Sequence, residues 1–349
     1  MCIRDSVVSA VKGGGVLSFC PRNPEKEARL QSIPVTDDII QDFAADSAGV
    51  YTAGQDGRVG YLDKNGRLKN AYITGDGLQS ITTGELGTVY VSAEQQGLFL
   101  YDWRRGRGEE IRVQDEDGKP LPFGRLEDIH YHKSQGVEYI AFLSEKGRSL
   151  VLLELVDRST ARWQGAGKLS VPGLRFTDIC FAGDQLVYAV SGRGVYSVSL
   201  ENFFGDMGGA SLLMDKNRRC AADGPTELAW AAGSDTLFVL KTDGGSPSAL
   251  LSIGLDGSAP VERPLGWYYD GTDYEALGEE TEGFCCSPDG SIVAMAGGCL
   301  SVFSWEEDRY ELVREPLEAR ISCTGTDFQG CEGLPSEVRE RFDRRGAKL

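Results

Sequence analysis

Residues 284–294 carry the pattern that decides the fold, and they run Phe284-Cys285-Cys286-Ser287-Pro288-Asp289-Gly290-Ser291-Ile292-Val293-Ala294. Two short apolar segments flank a Ser-Pro-Asp-Gly segment. Proline, aspartate and glycine are the residues that tight turns select, because they supply a fixed negative φ, local hydrogen bonds and a positive φ. The pattern therefore predicts two β-strands joined by a turn, and the next apolar segment, residues 300–306, predicts a third strand.

The same unit recurs along the chain at intervals of 41 to 56 residues. The predicted first strands of the six units are Ile39-Ile40-Gln41-Asp42-Phe43, Ser80-Ile81-Thr82-Thr83, Asp128-Ile129-His130-Tyr131, Asp178-Ile179-Cys180-Phe181, Glu227-Leu228-Ala229-Trp230 and Gly283-Phe284-Cys285-Cys286. A repeat of about 40–50 residues built from short strands is typical of β-propeller blades.

The later strands of each unit are rich in Val, Leu and Tyr, as in Gln185-Leu186-Val187-Tyr188-Ala189-Val190, which suits a buried pleated sheet. No long amphipathic helix pattern occurs between residues 37 and 315. We predict an all-β, seven-bladed β-propeller, with six complete units in residues 37–315. The seventh, N-terminal blade is expected to be incomplete, because residues 7–11 and 16–19 resemble middle strands without a first strand.

The last unit resembles a WD repeat, because residues 284–294 match the strand, Ser-Pro-Asp-Gly, strand pattern of that family. Residues 300–306 stand where the Trp-Asp strand belongs, with Glu306 in place of the usual aspartate. Tyr101-Asp102-Trp103, in the unit that begins at Ser80, is a weaker match to the same Trp-Asp strand. The Gly-His pair is absent and most units lack the Trp-Asp ending. The resemblance therefore implies a divergent WD-like propeller and does not extend to the family's buried hydrogen-bond network.

The first six residues, Met1-Cys2-Ile3-Arg4-Asp5-Ser6, resemble the translation of an adapter used to prepare sequencing libraries. We therefore expect them to be an artefact and the parent gene to extend upstream, which would make this chain a fragment from a bacterial metagenome. The expected domains are a propeller over residues 7–316 and a tail over residues 317–349.

The tail differs in character from the rest of the chain. Pro335 suits the first turn of a helix, and Leu334, Val338 and Phe342 repeat at helical spacing on one face. We predict a short C-terminal helix that caps the propeller. The Gly-x-Asp-Phe element (residues 325–328) and the terminal Arg-x-Gly-Ala element (344–347) also resemble the tails after propellers in bacterial STAND (NACHT-type) NTPases. That resemblance implies a sensor propeller, with the nucleotide-switch module upstream of this sequence.

Composition excludes several functions. The 349 residues include 53 acidic and 36 basic side chains, for a formal charge of −17. Such a charge repels nucleic acids and anionic membranes, so we expect neither as a partner. No stretch approaches the roughly 18 apolar residues of a membrane-spanning helix. The cysteines other than Cys2 show no disulfide or zinc spacing, and we expect core thiols in a cytoplasmic protein.

No catalytic constellation or cofactor motif is recognisable, and we expect no enzyme activity from this chain. The strongest metal candidates are His130 and His132, which are the only histidines and share one predicted strand. Spacing of two places both on one face, and Asp128 on that face is the only local third ligand. The vicinal Cys285 and Cys286 would point to opposite faces of their strand, which argues against a thiol pair.

Aromatic residues give the only hint of a recognition surface. Trp267, Tyr268 and Tyr269 lie in a long connection, residues 257–280, that is rich in Gly, Asp and Glu. Clustered aromatics often anchor interfaces, although they also cover the ends of adjacent blades.

These observations favour a non-catalytic interaction, scaffold or sensor propeller that binds a protein partner or another domain of its parent chain. One alternative is a hydrolase or lyase that uses His130 or His132 at the central channel. The other is an extracytoplasmic ligand-binding propeller, which an upstream signal peptide would distinguish.

Overall fold

A computed structural model describes most of residues 39–313 and several strands outside that range. The described residues are 2–3, 6–10, 16–21, 31–34, 39–63, 67–94, 97–114, 119, 125–157, 162–170, 173, 175–203, 211–215, 226–243, 246–256, 258–269, 272–273, 283–296, 299–313 and 317–318. The predicted helix near Pro335 and the STAND-like tail elements lie outside them.

The described residues form seven sheets of four or more strands. Sheets 1 to 3 contain β1 (Cys2–Ile3), β2 (Ser6–Ala10), β3 (Val16–Pro21), β4 (Gln31–Pro34); β5 (Ile40–Ala45), β6 (Gly49–Gly54), β7 (Arg58–Asp63), β8 (Leu68–Tyr72); and β9 (Leu78–Thr83), β10 (Thr88–Ala93), β11 (Leu98–Asp102), β12 (Arg107–Glu110). Sheets 4 and 5 contain β13 (Arg112–Gln114), β14 (Leu126–Ser134), β15 (Val137–Ser144), β16 (Ser149–Asp157), β17 (Arg162–Ser170); and β18 (Phe176–Ala182), β19 (Gln185–Val190), β20 (Gly194–Ser199), β21 (Ser211–Asp215).

Sheet 6 contains β22 (Thr226–Ala231), β23 (Thr236–Asp243), β24 (Ser246–Ile253) and β25 (Val261–Arg263). Sheet 7 contains β26 (Leu265–Gly266), β29 (Gly283–Cys286), β30 (Ile292–Ala296), β31 (Cys299–Glu306), β32 (Arg309–Leu312) and β33 (Leu317–Glu318). A separate ladder joins β27 (Tyr268–Tyr269) to β28 (Thr272–Asp273). Two single-turn 3₁₀ helices span Glu85–Gly87 and Leu200–Asn202. None of the described helices has the length and apolar character needed to cross a membrane.

The sheets follow one another in chain order, and each pairs neighbouring segments antiparallel. The six predicted first strands are all present as β5, β9, β14, β18, β22 and β29, and each lies at one edge of its sheet. We call these six the inner strands, because consecutive ones contact each other from β5 through to β29. The repeat in the sequence is therefore one antiparallel sheet per unit, as predicted.

Sheet 1 differs in one respect from the expected incomplete blade. It has four strands, because Cys2–Ile3 forms a two-residue β1 that pairs with Val7 and Ser6 of β2. The inner strands of the other sheets have four to nine residues. The first strand that we predicted to be missing is thus occupied by a short segment from within the first six residues.

Two outer strands are parallel additions that strand patterns alone do not predict. β13 pairs parallel with β17 in sheet 4, and β26 pairs parallel with β32 in sheet 7. Both come from the connection that precedes their own sheet. Each covers the exposed backbone edge of a fourth strand, which would otherwise present unpaired N–H and C=O groups.

The core lies between adjacent sheets. In β19, Tyr188 packs toward sheet 4 in a cluster with Leu152, whereas Val187 and Ala189 pack toward sheet 6 in a cluster with Val239. Successive side chains on a strand point to opposite faces. A sheet that is covered on both faces therefore favours apolar residues on both sides of its strands, which explains the unbroken apolar stretch from Leu186 to Val190 in β19.

The Ser-Pro-Asp-Gly turn between β29 and β30 is held by its own side chains and by sheet 6. The buried Ser287 hydroxyl accepts a hydrogen bond from the Ile292 N–H at 3.0 Å. Asp289 accepts one from the Ser291 N–H at 3.1 Å. Gly290 has φ +72°, and the Gly233 N–H of sheet 6 donates to the Pro288 carbonyl at 2.6 Å.

Gly290→Ala is expected to destabilise the protein by about 2 kcal/mol, because alanine is strained at positive φ and its Cβ would crowd the neighbouring sheet. A Cβ at this position would lie 3.1 Å from Phe238 Cε2 and from Ser234 Oγ. Gly183→Ala is the matched control, since its φ is +57° with nothing within 4 Å of the Cβ position. Urea denaturation should show the control losing only about 1 kcal/mol. Equal losses would contradict the proposed crowding.

Candidate functional site

Five of the six inner strands carry a polar residue directly before an apolar one, and that apolar residue is buried in all of them except β5, where it is half-buried. These polar residues are Asp42, Ser80, Asp128, Asp178 and Glu227, and the apolar residues that follow them are Phe43, Ile81, Ile129, Ile179 and Leu228. Because the strands align in consecutive sheets, this position brings several carboxyl groups to the same level of the molecule.

Three of these polar side chains tie one sheet to the next. Asp42 Oδ2 accepts hydrogen bonds from Ser80 Oγ at 2.7 Å and from the Ile81 N–H at 2.8 Å. The Ile129 N–H donates to Ser80 Oγ at 3.1 Å, and the Leu228 N–H donates to Asp178 Oδ2 at 2.5 Å. An inner strand has one unpaired backbone edge, and these bonds, which we call latches, satisfy N–H groups that would otherwise be buried without a partner.

Asp128 occupies the same position but behaves differently. Its φ is +53°, and the ladder between β14 and β15 is irregular between Glu127 and His130. Its Oδ1 lies 2.8 Å from His130 Nε2, and both side chains remain about a third exposed, at 36% and 35%. Among the described residues, its carboxylate accepts no bond from the backbone of sheet 5. The carboxylate is therefore turned toward His130 instead of latching the next inner strand.

The structure brings Asp178 of β18 to this pair. One ligand atom from each of Asp128, His130 and Asp178 can be chosen so that all three lie within 4.8 Å of one another. Asp178 Oδ1 also accepts the Ile179 N–H at 2.7 Å. We call these three residues the Asp–His–Asp cluster. Sequence reasoning identified Asp128 and His130 and missed Asp178, although Asp178 stands at the same position of the next repeat as Asp128.

The carboxyl groups around the cluster repel one another. Burial, opposed by three hydrogen bonds and reinforced by the charge of Asp128, raises the pKa of Asp42 to about 6. Burial and the charges of Asp128 and Cys285 raise the pKa of Glu227 to about 7. Burial and Asp128 also raise the pKa of Asp178. Among the described residues, the only ion pair that includes any of these four carboxyl groups is Asp128 with His130.

The two histidines have different surroundings. Burial alone would lower the pKa of His130, but the charge and hydrogen bond of Asp128 and the charge of Asp42 leave it raised. His132 stacks on Phe181 of sheet 5, with ring centroids 4.9 Å apart, and burial lowers its pKa. Two residues span about 6.6 Å along a strand, so His132 lies outside the cluster although both rings share a face.

The cysteines near this region behave as packed thiols. Cys180 is buried between sheets 5 and 6, and burial raises its pKa well above the usual value. Cys285 packs against the cluster that includes Ile292, whereas Cys286 packs against the one that includes Phe303. The vicinal pair therefore contacts opposite faces of β29, as predicted from strand alternation. Burial raises the pKa of Cys286 to about 12, so this thiol stays protonated at neutral pH.

The predicted aromatic anchors lie beside sheet 7. Trp267 packs edge-on against Phe303, with ring centroids 4.9 Å apart, and is partly buried in the core between sheets 6 and 7. Tyr268 and Tyr269 form β27, and their side chains lie outside the described residues. Trp267 thus contributes to packing, and an interface role for the three residues stays a prediction.

Exposed apolar side chains occur instead on outermost strands. The large hydrophobic residues that are exposed in the described part of the chain are Leu68 (40%) and Tyr72 (64%) on β8, and Val261 (49%) on β25. Among the described strands, β8 pairs only with β7, so no described strand covers its other backbone edge. Four of its five residues are exposed.

Glu227→Gln is expected to stabilise the protein at pH 8 and to have little effect near pH 4. The folded-state pKa is about 7, against about 4.3 for an unperturbed glutamate. Folding therefore favours the protonated form, and wild-type stability is lost as the pH rises through this window. A neutral glutamine avoids that loss, which should raise the melting temperature by about 3 °C at pH 8. Glu109→Gln, in an exposed pair with Arg107, is the control. A gain that does not change with pH would contradict the assignment.

Comparison with known proteins supports the fold. No protein-family model matches the sequence, and no curated protein matches it. Among solved structures, the chain is similar to one described as a mitotic checkpoint complex, with TM-score 0.61 and 9% identity over 86% of this chain and 84% of that one. It is similar to YCF48 bound to D1 peptide, with TM-score 0.57 and 11% identity over 84% and 86% of the two chains.

A third similar structure is PorZ, a bacterial surface component of the type-IX secretion system of Porphyromonas gingivalis, with TM-score 0.56 and 14% identity. That match covers 93% of this chain but only 39% of PorZ. Identities this low carry information about the fold alone. Together with the consecutive antiparallel sheets, these similarities show that the chain has a β-propeller fold of the WD-like type.

Proposed function

We propose that this protein is a non-catalytic interaction or sensor propeller whose seven sheets are the blades of one ring. Its partner would be another protein or another domain of a longer parent chain in the bacterial cytoplasm. Two proteins with similar folds are recorded with a bound peptide or in a multiprotein complex, which supports a binding role. The STAND-like tail pattern supports a sensor that acts on a nucleotide-switch module elsewhere in the parent protein.

The observation that carries this proposal is the open outer edge of sheet 2. β8 exposes Leu68 and Tyr72 beside a backbone edge with which no strand in the described part of the chain pairs. A partner segment can add to such an edge as one more strand, with backbone hydrogen bonds for affinity and apolar contacts for specificity. Natural sheets usually protect such edges with charge, proline or a covering strand, as β13 and β26 do in sheets 4 and 7.

Selection from a random linear peptide library tests this role. We expect peptides that bind the wild-type protein to bind the Leu68→Ser, Tyr72→Ser double variant at least about tenfold more weakly, because the apolar contacts are lost. The matched control is Arg107→Ser with Glu109→Ser on β12, another outermost strand whose side chains form an exposed ion pair. Its affinity should equal that of the wild type in fluorescence polarisation. Failure to select any binder, or equal affinity for the β8 variant, would contradict the proposal.

A hydrolase or lyase is the second candidate function, and the 2.8 Å contact between His130 and Asp128 favours it. A carboxylate that orients an imidazole is a common arrangement for general acid–base chemistry. If an esterase, phosphatase or lyase screen finds turnover, His130→Ala should abolish it, whereas His132→Ala should not. Turnover that survives His130→Ala would remove this site from consideration.

A further inference from the structure

We propose that Asp128, His130 and Asp178 bind one divalent transition-metal cation, of the chemical class of Zn²⁺ or Co²⁺, between sheets 4 and 5. This site differs from the earlier expectation, which paired His130 with His132 on one strand. The structure replaces His132 with a carboxylate from the next sheet.

The donor atoms suit such an ion. Carboxylate oxygen and neutral imidazole nitrogen are ligands that first-row divalent metals accept, and two carboxylates with one imidazole leave further positions for water. Ligand atoms that share one metal at about 2.1 Å lie roughly 3.0 to 4.2 Å apart. His130 Nε2 and Asp128 Oδ1 are separated by 2.8 Å, and all three ligand atoms lie within 4.8 Å of one another. Small side-chain rotations would therefore complete the geometry.

Each proposed ligand retains capacity for a metal. A carboxylate has about four lone-pair positions, and the described bonds of Asp178 use two of them, one to the Ile179 N–H and one to the Leu228 N–H. Asp128 and His130 are bonded to each other, so the metal would displace the shared proton from His130 Nε2. Their exposure, at about a third of each side chain, leaves a path for the ion to enter.

The negative charge around the cluster also favours a bound cation. Asp42 on β5 and Glu227 on β22 interact electrostatically with Asp128, although each of these strands is separated from β14 by one further inner strand. Among the described residues, His130 is the only basic side chain paired with any of these four carboxyl groups. A divalent cation would offset the mutual repulsion of carboxylates that are partly withdrawn from water.

A metal at this site would also link two adjacent sheets. Asp42, Ser80 and Asp178 latch their sheets to the next inner strand, whereas Asp128 accepts no such bond among the described residues. A cation held by Asp128 and His130 on β14 and by Asp178 on β18 would join sheets 4 and 5 directly. Because metal that binds only the folded state stabilises it, metal addition should raise the melting temperature.

The test is titration of the chelator-treated full chain with Zn²⁺ by calorimetry and with Co²⁺ by absorption spectroscopy. We expect one equivalent of each ion to bind, visible cobalt bands without a thiolate charge-transfer band, and a higher melting temperature. Asp178→Asn and His130→Gln should each weaken Zn²⁺ binding at least about tenfold. Asparagine keeps one oxygen for the Leu228 N–H and loses only the local bond from the Ile179 N–H, so we expect the first variant to fold, and circular dichroism checks this for both.

His132→Gln is the matched control, because it removes the other histidine of the same strand and should leave Zn²⁺ affinity unchanged. The proposal is overturned if the wild type binds no ion at about 100 μM, or if both cluster variants bind as tightly as the wild type. A thiolate band that disappears in Cys286→Ser would also overturn it, because the ligands would then be cysteines. These results leave the peptide-binding proposal untouched, since that depends on β8.

Discussion

The hydrogen bond from an inner-strand N–H to a side chain of the preceding sheet is the constraint on which the rest of the structure depends. Each sheet ends at the inside in a strand with one unpaired backbone edge. Ile81, Ile129 and Leu228 donate from that edge to Asp42, Ser80 and Asp178. These bonds join the inner strands at three junctions between sheets, and apolar clusters fill the space between the sheets.

The latches also explain why charged groups collect at the inner strands. A residue that accepts a backbone N–H must be polar and short, and an aspartate meets this need at the cost of partial burial of a charge. Repetition of the unit places one such group in several consecutive sheets, and burial, with the charge of Asp128 added to it, raises the pKa values of Asp42, Asp178 and Glu227. The candidate functional site therefore arises from the way in which the sheets are joined. It differs from the other inner strands at Asp128, whose carboxylate contacts His130 instead of a backbone N–H of the next sheet.

Most of the fold follows from local sequence patterns, and the exceptions have physical reasons. Strand alternation and Asp-Gly turns locate the inner strands, because side-chain period and positive φ are properties of a few adjacent residues. The parallel strands β13 and β26 are too short to show a pattern, and they form because an exposed edge is available to a passing connection. Only part of the site could be predicted from the sequence. Asp128 and His130 lie two residues apart on one strand, whereas Asp178 reaches them through contact between two sheets, which a local pattern does not show.

Residue-resolved hydrogen exchange of the intact protein tests the central claim most directly. If latches join the sheets, the amides of Ile81, Ile129 and Leu228 should exchange slowly although they lie on edge strands, because opening them requires adjacent sheets to separate. The outward-facing amides of β8, on the opposite edge of a sheet, should exchange fast. Exchange at the three latch amides as rapid as on β8 would contradict the account.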